Sequence, residues 1–228
     1  MDTQWNKIFK KGTSFFITIQ NINDSTLISF DKKLKDKLTI DYLVESNQLI
    51  EDIYNTVYFK LNSPAHLKII GQIIDKNTGL EVAKIYNQNN SIAKTNFLHK
   101  ANTTYKAVFD IKQQILELQL PKASFDGFSL QKIKSDIDDD FINFKLLTNT
   151  FTLKSKNNTL AYAILHKKGN IKSSAPFKLS SKILTYNLKF LKTDLFDGLN
   201  TITIFNDKND ILVQRNFYHK KLKKLISL

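Results

Sequence analysis

The sequence predicts an all-β protein: two tandem antiparallel β-sandwiches preceded by leading N-terminal strands. Two observations carry this. Short segments alternate apolar and polar residues with period two, and turn chemistry separates them every eight to twelve residues. No stretch holds a 3.6-residue period through three turns, which argues against a helical or α/β fold. A chain of 228 residues with 42% hydrophobic and 11% aromatic content is long and apolar enough for two cores.

Taken in order, residues 1–37 contain two extended runs, Ser14 to Gln20 and Ser25 to Phe30, split by a polar Asn21 to Asp24. Two strands bury too little to stand alone, so they belong to a preceding or partial β domain, or add to the first complete one. The Lys-rich Asp31 to Lys37 reads as a linker, with a short helix as the alternative.

The first sandwich spans 38–122. Thr39 to Val44 and Val57 to Leu61 are strands, the second with Val57, Phe59 and Leu61 on one face and Tyr58 and Lys60 on the other. Leu67 to Asp75 is nearly all apolar, Asp75 to Gly79 is a hairpin turn, and Val82 to Tyr86 returns. Tyr105, Ala107 and Phe109 alternate inward, as do Leu116, Leu118 and Leu120, and the expected core is Val57, Phe59, Ile69, Ile73, Tyr105, Phe109, Leu116 and Leu118. Pro121 to Gly127 is the junction, because proline ends a strand and Asp126-Gly127 opens a turn.

The second sandwich spans 123–219, with strands at Phe128 to Ile133, Ile142 to Leu147, Leu160 to His166 and Thr185 to Leu191. Its expected core is Ile142, Phe144, Leu160, Tyr162, Leu188, Phe190, Ile202 and Ile204. A hairpin closes it: Leu199 to Phe205, a polar break at Asn206 to Asp210, then Ile211 to Tyr218. Residues 220–228 form a basic tail. Leu222, Leu225 and Ile226 have the spacing of a short amphipathic turn, which would set Lys220, Lys221, Lys223 and Lys224 against an anionic surface. The alternative is a linker tail, since so short a helix is marginal in water.

The net charge is +13, from 34 basic and 21 acidic side chains. Arg215 is the only arginine and the lysines are spread along the chain, so no nucleic-acid footprint is expected. There is no cysteine, which excludes a disulfide framework and Cys-ligated zinc. Asp136, Asp138 and Asp140 have the spacing of a calcium loop, but Phe141 and Leu147 stand where such a loop needs Gly and Glu. His66, His99, His166 and His219 lack zinc spacing, and each glycine is isolated, without the cluster of a phosphate loop. No serine sits in a nucleophile elbow. The expectation is no catalytic residue, no cofactor and no metal.

Arg215 is the residue singled out. In the last strand it falls on the apolar line of Ile211, Val213 and Phe217, where a guanidinium needs acceptors. The structural reading makes it a clamp onto the corner of Asp194 and Asp197; the functional reading makes it an anion-binding group.

Three stretches resemble a known family. The closing hairpin keeps Leu195, Gly198, Asn200, Thr201, Thr203, Phe205, Asp207, Arg215, Phe217 and Tyr218. Upstream, Glu45, Leu49, Asn55, Val57, Phe59 and Lys60 keep a second pattern, with Val44, Ser46 and Asn47 standing where the family has proline and two glycines. Leu118 to Leu130 is similar to its inter-domain junction. The family is the macroglobulin-like, immunoglobulin-like β-sandwich repeats of Bacteroidota outer-membrane proteins, some fused to TonB-dependent, SusC-like receptors. The resemblance implies a non-enzymatic scaffold or interaction module on the cell surface or in the periplasm. Its partner would be a protein, another domain or subunit of an outer-membrane complex. The alternative is a lysine-driven binding domain for an anionic ligand, a glycan or a lipid headgroup. Met1 to Trp5 lacks the basic and apolar regions of a secretory leader. The chain is therefore cytoplasmic or a piece whose leader is missing, and the resemblance favours the second.

Overall fold

The computed structural model describes residues 39–62, 68–89, 92–111, 114–134 and 140–220. Both leading runs and the tail beyond Lys220 lie outside them. The described chain is all-β, with fourteen strands and one short helix. It divides into two compact units. One takes the described residues up to Gln131 together with Leu147–Thr152; the other takes Lys132–Leu146 and the residues from Leu153 on.

The first unit is built on β1 (Thr39–Val44), β2 (Tyr54–Asn62), β3 (Ile70–Asp75), β4 (Glu81–Asn89), β5 (Ile92–Leu98), β6 (Tyr105–Ile111) and β7 (Gln114–Gln119). They form one antiparallel sheet in the order β1-β2-β5-β4-β3-β6-β7. That sheet folds over on itself. The rings of Phe59 on β2 and Phe109 on β6 meet edge to face at 5.0 Å, although four strand positions separate them. All eight residues expected in this core, Val57, Phe59, Ile69, Ile73, Tyr105, Phe109, Leu116 and Leu118, lie in one buried cluster. Gly71 on β3 is required by close approach, since a Cβ there would stand 2.4 Å from the Val108 carbonyl oxygen. The Asp75 turn forms as expected: its carboxylate accepts the Asn77 amide at 2.8 Å, and Gly79 takes the left-handed φ of 74°.

Two further sheets follow. β8 (Phe128–Lys132), β9 (Phe141–Thr148) and β12 (Thr185–Leu191) give the order β12-β9-β8. β10 (Leu160–Lys167), β11 (Asn170–Lys178), β13 (Gly198–Asn206) and β14 (Ile211–His219) give β11-β10-β13-β14. Within the second unit Phe144 of β9 meets Phe217 of β14 at 5.1 Å and Phe190 of β12 at 6.4 Å, so its core lies between these sheets. The closing hairpin is present. Its loop is organised by Asn206, whose side-chain oxygen accepts the amides of Lys208 and Asp210 at 3.0 and 2.8 Å.

Three expectations need correction. Leu160 is 39% exposed and Tyr162 half-buried, while Ala161, Ala163 and Leu165 fill the core, so β10 presents the opposite face. Ile211 is 58% exposed and leaves the apolar line of β14, because the register shifts between Ile204 and Phe205 opposite it. A helix, α1 (Thr150–Lys156), stands where no helix was expected. Asn149 caps it, accepting the Thr152 amide at 2.9 Å while its own amide donates to the carbonyls of Glu51 and Phe125.

Candidate functional site

The local geometry begins at two asparagines. Asn55 is buried; its Oδ1 accepts the Ile50 amide at 2.9 Å and its Nδ2 donates to the carbonyls of Ile50 and Ile53 at 2.8 and 3.0 Å. Asn200, also buried, accepts the Phe196 amide at 2.8 Å and donates to the carbonyls of Phe196 and Gly198 at 2.8 and 3.1 Å. Leu49 and Leu195, just upstream, are each 1% exposed. Each asparagine satisfies three backbone groups at a chain corner. Leu49 to Glu51 is further tied to the junction: Glu51 donates to the Ser124 carbonyl and Ser124 to the Leu49 carbonyl, both at 2.8 Å. The turn before it survives without glycine. Ser46 and Asn47 both adopt left-handed φ, 68° and 70°, and the Asn47 amide closes onto Val44 at 3.0 Å. Ser46 contributes its hydroxyl as well, accepting the Leu130 amide at 2.7 Å.

Arg215 lies half-buried between the buried Val213 and Phe217 on β14, opposite Ile202. The Lys132 ammonium sits over the Phe217 ring at 5.9 Å although much of the lysine is exposed. Burial first, then the charges of Arg215 and Lys192, hold it below the usual lysine range. Asp194 closes a single 3-10 turn (Lys192–Asp194) and is half-buried. Asp197 is exposed and its carbonyl accepts from Lys167 at 2.8 Å. Lys220 is exposed; Lys221, Lys223 and Lys224 lie outside the described residues.

The groups weighed for chemistry are dispersed. His99 is buried beside the Phe97 and Tyr105 rings, at 6.0 and 4.7 Å. His166 meets the Thr203 hydroxyl at 2.9 Å, and His219 ends β14. Burial lowers the pKa of both His99 and His166. His66, Asp136 and Asp138 are outside the described residues, and Asp140 offers its carbonyl to the Lys192 amide at 2.8 Å. Among the described residues, no three His, Cys, Asp or Glu side chains group as a metal site would need.

What the described fold presents is edges, a groove and a face. β1 and β7 end the large sheet, and β11 and β14 end the four-stranded one. β11 is blunted by Pro176 with Lys172 and Lys178 on the same strand, and β7 carries the Lys106–Glu117 ion pair at 2.8 Å from β6. Beside β1 lies a groove of about 260 Å³ lined by Tyr42, Val44, Asn47, Leu49, Pro121 and Lys122. The outer face of β2, β5 and β4 carries Tyr54, Tyr58, Lys94 and Tyr86. The alternation in β2 had already put Tyr58 and Lys60 outward; β5 was not recognised, so its partner residues were missed.

No protein-family model matches the chain, and no curated protein does. Solved structures give loose similarities. A DUF4785 family protein from Legionella pneumophila is 10% identical with a TM-score of 0.27, over 79% of this chain and 56% of that one. The BSP domain of a biofilm associated protein is 11% identical with a TM-score of 0.34, over 82% and 30%. A tetra-tandem repeat from the extending region of a large adhesion protein is 12% identical with a TM-score of 0.26, over 79% and 47%. The chain thus matches between about a third and somewhat over half of the length of these three.

Proposed function

We propose that this chain is a non-enzymatic β-sandwich scaffold and interaction module of the cell surface or periplasm, associated with an outer-membrane protein or transporter. The single observation that supports this reading best is the pair of asparagine-tied corners at Asn55 and Asn200. They are among the residues on which the likeness to surface β-sandwich repeats rests, and they are fixed backbone geometry, not chemistry. The mechanism is presentation: stiff corners hold edge strands and loop ends in place for a partner protein. We take 38–122 and 123–219 as the two repeats. Arg215 in this reading is a clamp for the last strand, with Asp194 and Asp197 as its corner. The tail lysines Lys220, Lys221, Lys223 and Lys224 would add a peripheral contact with an anionic membrane.

A photo-crosslinker placed at Leu43, on the β1 edge, and at Ile115, on β7, tests the module reading in the native host. The expected products are discrete adducts with an envelope protein. Adducts only with cytoplasmic proteins would overturn it. Removal of residues 220–228 should weaken binding to anionic vesicles at low salt; unchanged binding removes the membrane contact.

A further inference from the structure

The hairpin that joins β10 to β11 gathers positive charge at one aromatic ring. Its turn is Lys168 and Gly169, both at left-handed φ, 49° and 85°, with Lys167 paired to Asn170. Just past the turn the register skips a residue. Leu165 pairs with Ser173 and His166 with Ile171, so Lys172 is the extra residue of a β-bulge. A bulge re-aims the side chain it carries, and here the Lys172 ammonium lies over the Phe196 ring at 5.3 Å. The Lys167 ammonium reaches the same ring, at 5.8 Å. That ring stands on a fixed backbone, because Asn200 bonds both the amide and the carbonyl of Phe196 at 2.8 Å.

Two ammoniums at one ring repel each other, and the protein leaves that repulsion standing. Lys167 donates to the Asp197 carbonyl at 2.8 Å, not to a carboxylate, and among the described residues neither lysine has an ion-pair partner. Nor does a side chain at Gly198 crowd the site, where a Cβ would stand 3.8 Å from the Lys167 ammonium. What the pair lacks is an anion. A phosphate monoester carries about −1.5 to −2 charges near neutral pH on three acceptor oxygens, so one group serves both ammoniums, directly or through a water. A carboxylate brings a single charge. Single-stranded nucleic acid fits less well, because two lysines already cover the half-buried Phe196 ring on which a base would stack.

We propose that the β10–β11 hairpin and the Phe196 corner bind a phosphate monoester group, with Lys167 and Lys172 as its charge partners and Phe196 as the positioning residue for both. The site goes beyond the module reading and does not rest on it.

NMR titration of the full chain with glycerol phosphate tests it, with succinate as the carboxylate probe. The phosphate is expected to shift the amides around Lys167 and Lys172 saturably, more weakly at high salt, and succinate to bind at least about tenfold less well. Vesicles of phosphatidylcholine with and without phosphatidic acid separate the two sources of such a group. Binding to the acidic vesicles that Lys172→Met weakens assigns a lipid headgroup; vesicle binding that is absent or unmoved by Lys172→Met assigns a soluble ester. Lys167→Met and Lys172→Met should each weaken glycerol phosphate by about tenfold, while Lys172→Arg retains it. Phe196→Leu should weaken it and Phe196→Tyr retain it, a contrast that loss of packing alone would not give. Lys84→Met on β4 should change nothing. Lys172 is exposed, so the thermal melt of Lys172→Met should match the parent. Absence of a saturable phosphate shift, succinate binding of equal strength, or equal loss in Lys84→Met would overturn the proposal.

Discussion

The corners at Asn55 and Asn200 are one device built from different sequence. Both set a buried leucine, then a short corner segment, then a buried asparagine that bonds that segment three times. The difference is in how the backbone turns. At the second corner the positive φ, 93°, is taken by Gly198; at the first it is taken by Asp52, at 59°, and the turn before it by Ser46 and Asn47. The comparison teaches that the asparagine, which satisfies several buried groups at once, is the fixed requirement. Glycine is only the cheapest way to reach the turn, and side-chain bonds can replace it.

The largest effect should come from deleting either asparagine. Asn55→Ala and Asn200→Ala each leave three buried bonds unmade and should cost about 2–4 kcal/mol in denaturant unfolding. Equal losses would establish the equivalence of the corners; a loss below about 0.5 kcal/mol at one of them would break it. Next comes the clamp proposed for the closing hairpin. Arg215→Lys should lower stability by about 1–3 kcal/mol, and an unchanged melt would show a solvated side chain. At the Ser46 turn two substitutions should diverge. Asn47→Gly relieves a left-handed φ and should be neutral or stabilising by up to about 1 kcal/mol, whereas Ser46→Gly also loses the bonds to Leu130 and should cost about 1 kcal/mol. A gain in both would mean that the Ser46 hydroxyl contributes nothing.

Each unit also carries a histidine that responds to acid. His99 in the first is fully buried, and its pKa lies below the ordinary 6.5 because burial penalises the cation, with Glu51 and Asp52 partly offsetting that. The unfolded chain therefore binds a proton at a pH where the folded chain does not. The stabilisation is fully present above about pH 6.5 and is lost as the pH falls through that value toward the folded pKa. His166 in the second unit acts in the same direction, from burial alone. Thermal melts from pH 8 to pH 5 should fall on the acid side, and His99→Gln should flatten the decline of the first unit. A profile identical to the parent would show that His99 does not carry it.

Much of the fold was legible because bulky side chains alternate in β2, β6 and β7, where Val57, Phe59, Tyr105, Phe109, Leu116 and Leu118 mark one face unambiguously. β10 was misread for the opposite reason. Its inward positions are Ala161, Ala163 and Leu165, and its larger Tyr162 and Ile164 face outward, so size pointed to the wrong side. β11 hides behind polar residues and Pro176, as an edge strand can. α1, at seven residues, is shorter than any periodicity test resolves and is held by the Asn149 cap and its tertiary bonds. The candidate surface was half visible: Tyr58 and Lys60 were placed outward from β2, but Tyr86 and Lys94 join them only through a register that pairs β5 with both neighbours.

Protease shaving of intact native cells tests the central claim most directly, because a surface module must be reached from outside. The chain should be cut while a cytoplasmic marker stays whole, or, for a periplasmic module, be cut only once the outer membrane is opened. A chain that stays protected through both steps and fractionates with the cytoplasm would contradict it.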